Sequence, residues 1–121
     1  MPFPVSEQRI IEAEQELGRA LPHELRQRLM RDNGGEVIVG NDDWILHPVW
    51  DPMDRKTMGR TASHILAETA AARSWASFPP GGVSLASDGS GDRLILCESG
   101  DQIFLWEHET GECLPVGLDW L

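Results

Sequence analysis

Two carboxylates in a glycine-rich loop, Asp88 and Asp92 of "SLASDGSGDRLIL" (Ser84 to Leu96), are the residues whose types and spacing most suggest chemistry. Paired carboxylates serve as a general acid and base or as cation ligands. The loop lacks the dense series of oxygen ligands that a calcium loop supplies, so Asp88 and Asp92 read first as turn residues and local hydrogen-bond acceptors, and second as an interaction surface. Gly89 and Gly91 would allow positive φ, and Asp92 would tie the loop by accepting backbone N–H bonds.

The other reactive side chains form no recognisable constellation. His23, His47, His64 and His108 are spread along the chain without HExxH or other paired ligand spacing, so no metal site is expected. Cys97 and Cys113 lie in apolar strand-like runs with no CxxC spacing, and are expected as reduced core thiols. Neither a GxSxG elbow, a cysteine-protease signature, a P-loop nor a GxGxxG is present, and "GSGD" lacks the lysine and following helix that phosphate binding wants. No catalytic residue and no cofactor are expected.

Charge narrows the partners. The chain carries a net charge of −10. Residues 81–121 hold eight acidic side chains against Arg93 alone, whereas residues 1–80 hold twelve acidic and nine basic. Such a surface repels the phosphate backbone that dominates nucleic-acid affinity. No apolar run approaches the ~20 residues of a membrane span, and "MPFPVSEQ" lacks the features of a signal peptide. A cytoplasmic location is the expectation, and 121 residues suit one domain over 1–121.

The elements that position these residues follow from local signals. Ser6 is placed to cap a helix that Gly18 ends, with Ile10, Leu17 and one neighbour as its buried stripe. Pro22 suits the first position of a second helix with Leu25 and Leu29 inward, closed by Asn33, Gly34 and Gly35. Glu36–Val39 and Trp44–His47 predict a β-hairpin. "DPMDRKTMGR" reads as a mobile loop, and "RTASHILAETAAARSWASF" as a third helix closed by "PPGG". Val83–Ala86, Arg93–Cys97, Gln102–Trp106 and Cys113–Val116 predict a β-meander.

Connections in a meander alternate between the two ends of the sheet. The Asp88–Asp92 loop and "EHETGE" (Glu107 to Glu112) should therefore emerge together, with Glu98 and Asp101 at the far end. Asp88, Asp92, Glu107, Glu109 and Glu112, with His108 among them, would form one acidic rim. Among five tryptophans, Trp75 and Trp106 read as core, Trp120 as packing the chain's end against the sheet, and Trp44 or Trp50 as apolar contact residues.

Taken in order, these motifs resemble the SUKH superfamily, which includes the Smi/Knr-type cell-wall assembly regulators of fungi and many bacterial immunity proteins. The resemblance rests on Glu14, Leu17 and Gly18 followed by Leu21 and Pro22, and on Asn33, Gly34 and Gly35 after the second helix. Further on it includes Ala86, Asp88, Gly89, Gly91 and Asp92, then Trp106 and His108. It is weakest from about Asp51 to Pro80. Leu25 and Leu29 stand where aromatic residues are common, and the family's closing helix is hardly present.

The resemblance implies an α+β fold, with a single mostly antiparallel sheet of about 5–6 strands, an N-terminal helical hairpin and a third helix packed against it. It also implies protein binding rather than catalysis, since bacterial members often neutralise a toxin encoded beside them. The leading expectation is an immunity-type module whose acidic face meets a basic, nuclease-type toxin through Asp88, Asp92, Glu107, Glu109 and Glu112, with Trp44 or Trp50 as anchor. A regulatory scaffold or adaptor is the alternative, and an enzyme built on the Asp88 and Asp92 loop a third.

Overall fold

The computed structural model describes residues 3–121. Helix α1 (Glu7–Leu17) starts after Ser6, whose backbone is extended as a cap requires although its side chain makes no capping bond. It ends at Gly18, whose φ of +78° permits the left-handed turn that returns its N–H to the Glu14 carbonyl at 2.9 Å. Ile10 is fully buried and Ala13 is the neighbour that joins it, with Leu17 packed at the margin. In α2 (His23–Arg31), Pro22 stands just before the first helical residue rather than at it, and Leu25 and Leu29 point inward as expected.

Strands β1 (Gly35–Val39) and β2 (Asp42–Leu46) form the hairpin. The following segment, expected as a mobile loop, contains a short helix, α3 (Arg55–Arg60). Asp54 caps it by accepting the Thr57 N–H at 2.8 Å, and the Thr61 hydroxyl donates to the Thr57 carbonyl at 2.9 Å. Both threonines are buried, so this helix is positioned by polar contacts that leave no apolar periodicity in the sequence. Helix α4 (Ile65–Arg73) is the third helix expected; His64 caps it through Nδ1, which accepts the Ala67 N–H at 3.2 Å.

Strands β3 (Val83–Ser87), β4 (Arg93–Leu96), β5 (Ile103–Trp106) and β6 (Cys113–Val116) complete one six-stranded sheet in sequence order, every pairing antiparallel. The fold is thus α+β, as expected. The main core lies between α1, α2 and the sheet face bearing Val37, Trp44, Leu46, Leu94 and Leu96. A bulge lets Leu85 and Ala86 both enter it, since Ser84 pairs with Ile95 and Ala86 already with Leu94. On the opposite face Ile95 and Trp106 pack with Ala72 of α4 and Phe78. Strand β4 is therefore buried on both faces, which is why "LIL" reads as an unbroken apolar run.

The end of the chain returns to the beginning of the sheet. Ile38 and Asp119 exchange backbone hydrogen bonds of 3.0 and 2.8 Å. Arg28, buried in α2, donates to the carbonyls of Trp120 (2.7 Å), Glu36 (3.2 Å) and Asp32. Trp120 and Leu118 pack against the main core, and the Trp120 indole N–H reaches Glu24 at 2.9 Å. Arg28→Ala would leave these carbonyls without their donor; a loss of about 3 kcal/mol is expected. Hydrogen exchange checks the mechanism: the Ile38 amide should lose protection before the β3–β4 amides do, and a uniform loss would refute it.

Cys97 and Cys113 are free thiols, but both are half-buried rather than core. Burial raises the Cys113 thiol above its ordinary range, with a smaller contribution from Cys97, so it is a poor nucleophile. No helix among the described residues is long and apolar enough to cross a membrane.

Candidate interaction surface

At one end of the sheet the β3–β4 and β5–β6 connections lie side by side. Within the first, the Asp88 carboxylate accepts the Ser90 N–H at 2.9 Å and its hydroxyl at 2.7 Å, a local turn of the kind expected. Asp92 does something else. Its Oδ1 accepts the backbone N–H of His108 at 3.1 Å and contacts His108 Nδ1 at 2.6 Å, so it ties one loop to the other instead of closing its own. Gly91 permits the approach: with φ at +112°, a Cβ there would stand 3.0 Å from the imidazole Nδ1.

The second loop closes on itself through Gly111 N–H to the Glu107 carbonyl (2.7 Å) and Glu107 N–H to the Glu112 carbonyl (2.9 Å). That turn leaves Glu109 and Glu112 exposed and Glu107 half-buried. No lysine or arginine pairs with Asp88, Asp92, Glu107, Glu109 or Glu112 among the described residues; the His108 imidazole contacts Asp92 and, at 4.0 Å, Glu109. The opposite end differs. There Arg19 donates to the carbonyls of Cys97 (3.0 Å) and Gly100 (2.9 Å) and lies 3.4 Å from Asp101.

The β1–β2 turn carries two further exposed carboxylates, Asp42 and Asp43, on the hairpin that the Ile38–Asp119 bridge joins to the segment after β6.

The tryptophans required the main correction. Trp44 is 3% exposed, because its β2 register opposite Val37 turns it into the main core and leaves Ile45 outward. It is no surface anchor. Trp50 is half-buried, its ring 5.4 Å from that of His64, in a shallow groove with Arg9, Glu16 and Leu66 that shares no residue with the rim loops. Trp75, expected in the core, is 47% exposed and stands edge-on 5.6 Å from the His108 ring. Phe78 and Trp106 fill the site beneath it, as expected for Trp106. The one sequence sign was position: Trp75 follows Arg73, beyond the last periodic residue of α4.

A family profile described as SMI1 / KNR4 family (SUKH-1) matches residues 4–120. The chain belongs to this family. Comparison with curated proteins returned no match. SUKH domains are protein-binding, and in this SUKH-1 chain the Gly-Asp loop and the later Trp-x-His segment are the two pieces that Asp92 and His108 join.

This SUKH-1 chain also holds a buried polar cluster that the sequence did not disclose. His47 Nε2 lies 2.9 Å from Ser84 Oγ, Arg93 donates to that hydroxyl at 3.0 Å and to Glu68 Oε1 at 3.2 Å, and the Thr69 hydroxyl accepts the Ser84 N–H at 3.0 Å. Burial, and secondarily Arg93, lowers the His47 pKa to about 3, so its imidazole is neutral and accepts the Ser84 proton. The pair has the spacing of a nucleophile and its base, but Ser84 is fully buried and offers no surface to a substrate. The cluster fastens α4 to β3 and β4. Among the described residues, no group of three His, Cys, Asp or Glu side chains could hold a metal ion.

Proposed function

We propose that this SUKH-1 chain is an immunity-type module that binds and neutralises a basic toxin domain, presenting the acidic rim to it without chemistry. The observation that supports the reading is a run of carboxylates without arginine or lysine partners, beside the half-exposed Trp75 ring. Nucleases carry positive clefts for phosphate, and an acidic surface competes for such a cleft while steering the encounter. Trp75 takes the role of apolar anchor for which Trp44 is too buried and Trp50 is misplaced.

The test begins with partners captured by the purified chain from its host's lysate at low salt and released at high salt. With the captured protein in hand, reversing Glu107, Glu109 and Glu112 together to lysine should slow association about tenfold or more at low ionic strength, the difference shrinking as salt is raised. An unchanged rate removes the rim from the interface. Ordinary cellular proteins in place of a basic toxin would favour the adaptor role instead.

A further inference from the structure

A groove of about 470 Å³ opens between the end of β2, α3 and the start of α4. Half-exposed Pro48 and exposed Ile45 line it, with Asp51, Arg60, Ser63 and Glu68 among its polar members. Asp51 is 8% exposed, yet no cation lies within ion-pairing distance of it among the described residues. Its place is fixed by its own backbone N–H, which donates to the Thr61 hydroxyl at 3.1 Å. Its Oδ1 accepts the Met53 N–H at 3.2 Å, and its Oδ2 accepts no hydrogen bond from any described residue.

Two other charged groups face this space, neither of them paired with Asp51. Glu68 is paired with Arg93 at 3.2 Å. Arg60 is drawn onto the Phe3 ring, its guanidinium carbon 4.6 Å from the ring centroid. Asp51 thus presents one carboxylate oxygen to the groove with no described cation beside it, and a cationic head arriving there would gain a charge-assisted hydrogen bond.

We propose that this groove receives one basic side chain, an arginine or lysine projecting from a protein partner, with Asp51 as the carboxylate that accepts it. The aliphatic stem lies along Ile45 and Pro48 while the charged head reaches Asp51. Ser87 lines the groove and directly precedes Asp88, so the groove opens beside the acidic rim and one basic partner can engage both. That the side chain comes from a protein rests on the docking function above; the chemistry of the groove does not.

The test uses the whole chain, isotope-labelled, titrated with Nα-acetyl-arginine amide and, separately, with the neutral citrulline and the acidic glutamate analogues. The arginine compound should give saturable amide shifts at Gly34, Ile45 and Ser63, and the other two none. Asp51→Asn, which retains an acceptor for the Met53 N–H, should weaken binding about tenfold or more. Equal binding of citrulline, preference for the glutamate compound, or an unaffected Asp51→Asn variant would each overturn the proposal. The wild-type comparison of arginine with citrulline decides even if Asp51→Asn is poorly folded. In the rim-reversed protein, arginine binding that persists alongside unchanged partner association would refute the rim and leave the groove standing.

Discussion

Trp106→Ala is expected to cost about 3–5 kcal/mol, a large part of the roughly 5–15 kcal/mol that holds a domain of this size together. Trp106 has no exposed surface and packs edge-on against Phe78 with ring centroids 5.1 Å apart. Its indole N–H donates to the Ser77 carbonyl at 3.3 Å. Alanine therefore leaves both a cavity and an unpaired carbonyl. Trp75→Ala, at a half-exposed position on the same cluster, should cost less than about 1 kcal/mol. Urea unfolding followed by circular dichroism separates the two; equal midpoints would mean that the second cluster does not carry the load assigned to it. Because Ser77 packs against Gly111, Trp106→Ala should also loosen the rim, whereas Trp75→Ala should leave the rim loops in place.

His47 should dominate the acid limb of the stability curve. Its folded pKa is about 3 against an ordinary 6.5, first because it is buried and second because Arg93 is near. The contribution is intact above pH 6.5. Below it the unfolded chain takes up a proton that the folded chain refuses, so stability falls by about 1.4 kcal/mol per pH unit, up to about 5 kcal/mol near pH 3. His47→Gln keeps an acceptor for Ser84 and removes the titration. The difference in unfolding free energy between wild type and variant should change by about 2 kcal/mol from pH 7.5 to 5, always toward relative loss in the wild type. Parallel curves would refute the buried neutral imidazole.

Local signals carried most of the backbone. Gly18 ends α1 through its left-handed conformation, and Asn33 to Gly35 follow α2, because such stops depend on neighbours alone. Short turns forced antiparallel order on the meander strands, and that order placed the Asp88–Asp92 loop beside the Glu107–Glu112 loop, whereas the Asp92–His108 contact itself came only with the side-chain geometry. What escaped was set by distant contacts. Helix α3 is built on Asp54, Thr57 and Thr61, whose hydrogen bonds have no apolar period. The exposures of Trp44 and Trp75 were exchanged because strand register decides the first and Phe78 displaces the second. The burial of Arg28 leaves no local sign, because its partners, the carbonyls of Glu36 and Trp120, come from the first strand and from a segment about ninety residues further on.

The pairing of Ile38 with Asp119 bears on the order in which the chain folds. Four of the five strand pairings form across short turns and the β2–β3 pairing across the segment that carries α3 and α4, whereas this bridge and the Arg28 clamp span most of the chain. Loop closure of that length comes late, after the hairpins and their helices have assembled. Weakening the clamp should then quicken unfolding far more than it slows refolding. The closure acts as a latch on an already formed body, governing how long the native state persists more than how quickly it is reached.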